Sequence, residues 1–347
     1  MKGVGEDYKL YSNLGFYSEW EDLIPKLLEQ EINTVRLAFS IDPGNSYSHT
    51  VLDYDDLDDI LDLLDEHGLY AILDLHNRHD GVVKDHQGYF GSPRWQADMV
   101  SLGNRYKDRD TVIALQPFNE AFRITHYETH ASGSLELFRF VQKAYAELTD
   151  ELRHIGFMKP VIDSDYDVYE NWGWETIGEY IRDGLYHSCH IWASPWAVDS
   201  THTTGPGIEG WWNRIRGKME IMLTFPEPKI VIDEFGPWHD PRSNWDMEEQ
   251  ADFCVKILNW GYDNGIGWNM WMYERSTRPG HDYHDYYNQA LDESIYGQEN
   301  GGETMTTKIK NIGNTPLTVS YTTVVTEVIA PGEEKTFPTD ELEITNS

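Results

Sequence analysis

Along the first 300 residues, the apolar and polar positions switch repeatedly between a strand pattern and an amphipathic helix pattern. Segment 54–66 is typical of the helices, because its apolar residues recur three and four positions apart and form one stripe. Asp53 is placed to cap this helix and Gly68 to end it. The next run, 69–73, is apolar on both faces, as expected of a parallel strand that is covered by helices.

The same pattern recurs often enough to predict a fold class. Strands are predicted near 2–5, 33–39, 69–75, 111–117, 159–163, 186–191, 229–233 and 266–272. Helices are predicted near 19–31, 53–67, 93–107, 133–155, 170–182, 211–224 and 245–264, with 283–296 as a candidate eighth. Eight strand–helix units predict an α/β fold, a closed (β/α)8 TIM barrel. A doubly wound open sheet would give the same alternation, but no G-x-G-x-x-G or phosphate-binding loop follows any strand.

The sequence changes character near residue 303. The stretch from Thr306 to Thr336 is rich in Thr and Val and contains two turn signals, which predicts three or four short strands. We therefore expect a catalytic barrel over residues 1–300 and a small all-β segment over residues 303–347. Few aromatic residues occur in this segment, which disfavours a sugar-stacking platform there.

The composition argues against a nucleic-acid partner and a membrane span, and it indicates the state of the cysteines. With 60 acidic and 27 basic residues the net charge is −33, so we expect no nucleic-acid partner. No long apolar run is present, so no membrane span is expected. Cys189 and Cys254 lie in apolar runs and are predicted to be buried thiols.

Polar and aromatic side chains gather at the predicted carboxyl ends of the strands, where a barrel of this kind builds its active site. They are Arg36, His76, Asn119, Glu120, His190, Trp192, Glu234 and Trp271. Glu120 follows strand 4 and Glu234 follows strand 7, so their side chains can face each other across the barrel mouth. Such a pair suits glycoside hydrolysis, which needs an acid for the leaving oxygen and a carboxylate for the anomeric carbon. A gap of about 5–5.5 Å between the carboxyl groups would give retention, and a wider gap inversion.

Taken in order, these strand ends resemble glycoside hydrolase family 5, the cellulase family of the retaining (β/α)8 clan. The resemblance runs from about residue 2 to residue 297. It is carried by His190 and by five motifs: Asn33-Thr34-Val35-Arg36-Leu37, Asp74-Leu75-His76, Gln116-Pro117-Phe118-Asn119-Glu120, Ile232-Asp233-Glu234-Phe235-Gly236 and Trp268-Asn269-Met270-Trp271.

The resemblance implies a role for each matching position. Glu120 would be the acid/base, and Glu234 the nucleophile that forms the glycosyl-enzyme. Asn119 would donate a hydrogen bond to the 2-hydroxyl of the cleaved sugar. Arg36 would lie beside Glu234 and keep it ionised, so the pKa values of the two glutamates should be pushed apart.

Further substrate contacts follow from the same resemblance. His76 and His190 would line the subsite of the cleaved sugar, and Trp271 would form the platform beneath it. One position departs from the family, which usually has His-x-Tyr where this chain has His190-Ile191-Trp192. Trp192 would then donate in place of the tyrosine hydroxyl, unless a nearby tyrosine does so. The candidates for that tyrosine are Tyr166 and Tyr273.

The resemblance implies a retaining endo-β-1,4-glycanase, and within that class an endoglucanase that cleaves β-1,4-glucan by double displacement. We expect a β-linked polysaccharide or oligosaccharide substrate, no cofactor or metal, and a monomer. Three alternatives stay open: a β-mannanase or other β-glycanase, a carbohydrate-binding barrel without activity, and a metal-dependent hydrolase. The substrate implies secretion, although no secretory leader is visible at the start of the chain.

Overall fold

The structure is a computed structural model in which the chain folds as two compact units, Met1–Ala290 and Leu291–Ser347. The residues that it describes are 2–7, 20–41, 51–76, 89–121, 135–167, 180–193, 207–223, 230–237, 247–271, 289–291, 293–294, 306–310, 317–321, 325–329, 334–338 and 342–346.

In the first unit, eight parallel strands close into a barrel in chain order, with the last strand paired to the first. The strands are β1 (Lys2–Asp7), β2 (Thr34–Phe39), β3 (Tyr70–Leu75), β4 (Val112–Gln116), β5 (Val161–Asp167), β6 (Leu185–Ala193), β7 (Ile230–Pro237) and β8 (Gly267–Trp271). The predicted (β/α)8 barrel is therefore confirmed, and the open-sheet alternative is excluded.

Helices alternate with these strands. They are α1 (Trp20–Glu29), α2 (Tyr54–Glu66), α3 (Pro93–Tyr106), α4 (Leu135–His154), α5 (Gly207–Met222) and α6 (Met247–Asp263). At the start of α2 the Asp53 side chain accepts from the backbone N–H groups of Asp55 and Asp56, as its position in the sequence predicts. Gly68 follows the helix with a φ of 69°, a left-handed conformation that suits glycine. Most of the predicted helix over 170–182 and most of the one over 283–296 lie outside the described residues.

In the described part of the barrel interior, a layer of small and branched apolar side chains lies below the site. This layer consists of Ile72, Ala114, Ile162 and Val231. Side chains two residues apart on a strand point to the same face. Asp74, Gln116 and Asp233 therefore lie one layer higher, toward the carboxyl ends of β3, β4 and β7. All three are fully buried.

Strand β7 contains one residue more than its neighbours at the level of the site. Val231 and Glu234 are three residues apart, whereas their partners on β6, Ser188 and His190, are two apart. In the same way, Ile232 and Phe235 are three residues apart, whereas their partners on β8, Trp268 and Met270, are two apart. The extra residue forms a bulge, which breaks the alternation of faces. As a result, the adjacent side chains of Asp233 and Glu234 both contact groups inside the barrel.

In the second unit the described strands form two antiparallel sheets. Strands β9 (Thr306–Lys310) and β12 (Glu334–Pro338) pair with each other. The order of the other sheet is β11 (Val325–Ile329), β10 (Leu317–Tyr321) and β13 (Leu342–Asn346). Four strands begin within the Thr- and Val-rich stretch 306–336, as predicted, and β13 follows beyond that stretch.

Two expectations from composition bear on the described residues. Cys189 and Cys254 are buried free thiols, as predicted. None of the helices in the described part of the chain combines the length and the apolar character needed to cross a membrane.

Candidate active site

Arg36, in the middle of β2, is the hub of the site. Its side chain is fully buried, and its guanidinium group contacts four other strand-end side chains. Nε donates to Gln116 Oε1 at 2.6 Å, and Nη1 donates to Glu234 Oε2 at 3.1 Å. Nη2 donates to Asn119 Oδ1 at 2.7 Å and lies 3.0 Å from Asp74 Oδ2. One planar cation therefore ties together the carboxyl ends of β3, β4 and β7.

The charge of Arg36 is compensated where it is buried. Burial alone lowers the pKa of this guanidinium, but the carboxylates of Asp74, Asp233 and Glu234 together outweigh burial and raise it. A buried charge is costly unless it is paired and hydrogen-bonded, and here both conditions hold. Arg36 is therefore a fixed cation in the site, as the sequence predicts.

His76 and Asn119 belong to the same hydrogen-bonded group. Asp74 Oδ2 lies 2.8 Å from His76 Nδ1, and Asn119 Nδ2 lies 3.0 Å from His76 Nε2. This arrangement suits a neutral imidazole that donates from Nδ1 to the carboxylate and accepts at Nε2 from the amide. Because Arg36 holds the amide oxygen, the Asn119 side chain is fixed at both ends. The structure thus brings both predicted substrate-binding residues to the mouth of the barrel.

Glu120 stands just after β4 in a strained backbone conformation. Its φ is 49°, in the left-handed region that residues other than glycine rarely adopt. Such strain costs about 1–3 kcal/mol and clusters at active sites. Its Oε1 lies 3.3 Å from His190 Nδ1, and its side chain is 21% exposed, so this carboxyl is accessible from the cleft.

Glu234 is less accessible and has a shifted pKa. It is 5% exposed, and besides Arg36 it faces His190, whose Nε2 lies 3.7 Å from Oε2. Burial raises its pKa to about 7, although His190 and Arg36 act in the opposite direction. Arg36 lies where the sequence predicts. Its charge favours the ionised carboxylate, as expected, but burial has the larger effect, so the pKa of Glu234 is raised overall.

Asp233 is a site residue to which sequence reasoning gave no role. Its Oδ2 accepts from Gln116 Nε2 at 2.5 Å and lies 3.2 Å from His190 Nε2. Strict alternation along β7 would have turned either Asp233 or Glu234 away from the interior, and only the bulge allows both inside. The available signal was two consecutive carboxylates at the end of an apolar strand, where an unused charge is costly.

The two glutamates are close to each other. Glu120, His190 and Glu234 each offer one polar atom, and these atoms all lie within 4.8 Å of one another. An oxygen of Glu120 is thus within 4.8 Å of an oxygen of Glu234. Such a close approach of one oxygen pair agrees with the separation of about 5–5.5 Å between the carboxyl groups of retaining enzymes.

Among the described residues, the same three side chains are the group whose donor atoms are near enough to hold a metal ion. Their hydrogen bonds argue against that use. Glu234 Oε2 is bound by the Arg36 cation, and the two nitrogens of His190 already face Glu120 and Asp233. A metal ion would have to displace these contacts beside a fixed positive charge, so we interpret the group as a hydrogen-bonded acid–base cluster.

The two predicted tryptophan contacts are described only by their backbone. Trp192 lies in β6, paired with Gly236, and Trp271 ends β8, paired with Gly5. Their side chains lie outside the described part of the structure, and so do Tyr273 and the side chain of Tyr166. The platform under the sugar and the replacement for the family's tyrosine therefore stay predictions.

Comparison with known proteins agrees with this architecture. The sequence model of the cellulase family (glycosyl hydrolase family 5) matches residues 5–175. No curated protein matches the chain. The endoglucanase of the hyperthermophile Thermotoga maritima is 14% identical with a TM-score of 0.60, covering 85% of this chain and 96% of its own.

Two further solved structures are similar to the same extent. A broad-specificity endoglucanase from Clostridium acetobutylicum is 17% identical, with a TM-score of 0.58 and coverage of 85% and 96%. A family 5 xyloglucanase from Paenibacillus pabuli is 12% identical, with a TM-score of 0.59 and coverage of 85% and 97%. At these identities the structural likeness establishes the fold alone, while the similarity to the family rests on the sequence match over residues 5–175. The chain is a glycoside hydrolase of the β-glycanase type, and its residues 5–175 match the cellulase family, glycoside hydrolase family 5.

Proposed function

We propose that the protein is a retaining endo-β-1,4-glucanase that hydrolyses β-1,4-glucan by double displacement. The observation that carries this proposal is the pair Glu120 and Glu234. Their oxygens approach within 4.8 Å across the barrel mouth, one beside a fixed Arg36 and the other open to the cleft. This is the arrangement that a nucleophile and an acid/base need on the two sides of one anomeric carbon.

In the first step Glu234 attacks the anomeric carbon while Glu120 gives its proton to the glycosidic oxygen. The bond to the leaving sugar breaks, and a glycosyl ester forms on Glu234. Arg36 binds Oε2 of Glu234, which leaves Oε1 to carry the attack. In the second step the Glu120 carboxylate takes a proton from water, the water attacks the anomeric carbon, and the ester bond breaks with net retention.

The remaining polar residues orient the sugar. Arg36 and His76 hold the Asn119 amide from both ends, so its N–H is directed without freedom to rotate. We assign that amide to the 2-hydroxyl, where a hydrogen bond strengthens as the oxocarbenium character develops. Trp271 is proposed as the sugar platform, and Trp192 as the donor in place of the family's tyrosine.

A glucan backbone is the substrate that we favour. The structural neighbours include enzymes described as endoglucanases and a xyloglucanase, all of which are named for glucan backbones. A β-mannanase is the second candidate, because the loops that read carbon 2 lie outside the described residues. We further propose that the protein acts as a monomer outside the cell, where such polymers occur.

The test is reducing-sugar release from carboxymethyl cellulose, barley β-glucan, glucomannan, galactomannan and xylan, with wild type and Glu234→Gln compared. We expect the wild type to be active on the glucans and Glu234→Gln to be inactive. The glutamine keeps the side-chain volume and the oxygen that accepts from Arg36, but it cannot attack the anomeric carbon. Glu147→Gln, on the exposed face of α4, makes the same chemical change away from the site and should stay fully active. Activity confined to mannans would replace the substrate, and retained activity in Glu234→Gln would refute the mechanism.

A further inference from the structure

Asp233 is a buried carboxylate that the double-displacement mechanism does not use. It is fully buried at the β7 bulge, one residue before the proposed nucleophile. Its Oδ2 accepts a short hydrogen bond from Gln116 and lies 3.2 Å from Nε2 of His190. A carboxylate removed from water is costly unless it is used or compensated, so its orientation toward His190 calls for an explanation.

The His190 ring lies between two carboxyl groups. Nε2 is 3.2 Å from Asp233, and Nδ1 is 3.3 Å from Glu120 Oε1. Neutral imidazole carries one N–H and one lone pair, whereas the imidazolium carries two N–H groups. The Asp233 carboxylate only accepts hydrogen bonds, and Glu120 can accept through an oxygen whether or not it holds its proton, so both contacts are satisfied together when the ring holds two protons.

The charges that face this ring come from three strands. Glu120 stands after β4, Asp233 and Glu234 lie on β7, and the Arg36 cation of β2 lies behind Glu234. On the neighbouring strand β5, Asp163 is engaged by His187 rather than by His190. Asp233 and Glu234 together, against one cation, favour a positive ring while Glu120 still holds its proton, and the Glu120 carboxylate adds to this effect once the proton is given up.

We propose that Asp233 is a positioning residue that holds His190 as an imidazolium, so that its Nδ1–H is directed at Glu120. This inference rests on the proposed role of Glu120 as acid/base. When Glu120 has given its proton to the leaving oxygen, the imidazolium N–H stabilises the carboxylate that remains. Glu120 regains a proton from the attacking water, so His190 neither gains nor loses a proton over the cycle.

The electrostatics of both groups agree with the geometry. Burial alone lowers the pKa of His190, but Glu234 and Asp233 outweigh it and raise that pKa well above its ordinary value. Burial raises the pKa of Asp233, but the charge and hydrogen bond of His190 outweigh burial, so this pKa is lowered. The pair therefore stabilises a cation and an anion side by side.

The direct test is the protonation state of His190, read from nitrogen chemical shifts in the full-length protein labelled with 15N-histidine. The His190 signals are identified by their loss in His190→Gln. We expect the wild-type midpoint to lie well above the ordinary 6.5, and to fall by about one pH unit or more in Asp233→Asn. A wild-type midpoint near the ordinary 6.5, which is measurable even if the variant does not fold, would overturn the proposal. So would an unchanged midpoint in Asp233→Asn.

Asp163→Asn is the matched control. It also removes a buried carboxylate that is bonded to a histidine of β6, because Asp163 Oδ2 lies 2.5 Å from His187 Nδ1. Any general loss of stability in this part of the barrel should affect both variants. We expect the His190 midpoint to stay in place in Asp163→Asn, and an equal shift in both variants would contradict a specific role for Asp233.

Activity provides a second, separate measurement. With barley β-glucan as substrate, the alkaline limb of kcat/KM should move to lower pH in Asp233→Asn, because His190 then loses its proton within the assay range. A merely structural role would lower kcat/KM at every pH without moving the limb, which would count against the proposal. An enzyme inactive on every β-glycan would contradict the proposed function instead, while the nitrogen shifts would still decide the role of Asp233.

Discussion

At the scale of single residues, the site brings together charges that are opposite in sign and almost completely dehydrated. Arg36 is fully buried and Glu234 is 5% exposed, yet they are in direct contact. Sequence order predicted that Arg36, His76, Asn119, Glu120, His190 and Glu234 share one site, and the structure brings these six together. The sequence did not predict how burial would act on each pKa, because that depends on the depth of each side chain below the barrel mouth.

Glu234 makes stability depend on pH in a direction that can be derived. Its folded pKa, about 7, is above the ordinary value of a glutamate, so its contribution to stability is fully present at low pH. That contribution is lost as the pH rises through about 7. We expect Glu234→Gln to unfold at a higher Tm than the wild type at pH 8, with the difference shrinking toward pH 4.5. Thermal unfolding of both proteins across this range tests the sign. A Tm difference between Glu234→Gln and wild type that is smaller at pH 8 than at pH 4.5 would refute it.

The same pKa predicts how activity responds to acid. Only ionised Glu234 can attack, so kcat/KM should fall as the pH falls through about 7 in the free enzyme. A pH–rate profile on a soluble β-glucan measures this limb. Undiminished kcat/KM at pH 5 would show that Glu234 is already ionised there, against the effect of its burial.

At the scale of elements, the apolar pattern located each strand but not the place where some of them end. Strands β5 and β7 were predicted to end at 163 and 233, and they continue to 167 and 237. Polar residues follow the apolar runs there, and both strands have a register shift at that level. Periodicity cannot detect such a bulge, and this is the physical reason that Asp233 was given no role.

Packing between α3 and α4 gives a prediction with an internal control. A Cβ on Gly103 would lie 2.5 Å from Cδ2 of Leu152, which is fully buried. Gly217, exposed on α5, has nothing within 4 Å of the corresponding position. Alanine favours a helix over glycine by about 1 kcal/mol, and overpacking costs about 1–3 kcal/mol.

We therefore expect Gly103→Ala to lower the free energy of unfolding and Gly217→Ala to raise it by up to about 1 kcal/mol. Urea denaturation of both variants beside the wild type provides the measurement. Equal effects in the two variants would mean that Leu152 moves aside at no cost.

At the scale of the whole molecule, every described residue of the site belongs to the unit Met1–Ala290. We propose the domain organisation that the sequence predicts, a catalytic barrel over 1–300 and a small all-β segment over 303–347. A chain that ends at residue 302 is then expected to keep the kcat/KM of the full chain on soluble β-glucan. A loss of activity in a truncated protein that is still folded, as judged by circular dichroism, would show that the segment takes part in catalysis.

The additional residue in β7 has a consequence for anyone who transplants this site. A designer who copied the catalytic side chains onto a regular barrel strand would keep their identity and lose their arrangement. In an ideal strand, neighbours point to opposite faces, so either the nucleophile or its acidic neighbour would be turned toward the surrounding helices. A transplanted version of this active site must therefore reproduce the additional residue in the strand as well as the set of side chains. A graft one residue too short would contain every catalytic group and still fail to assemble the site.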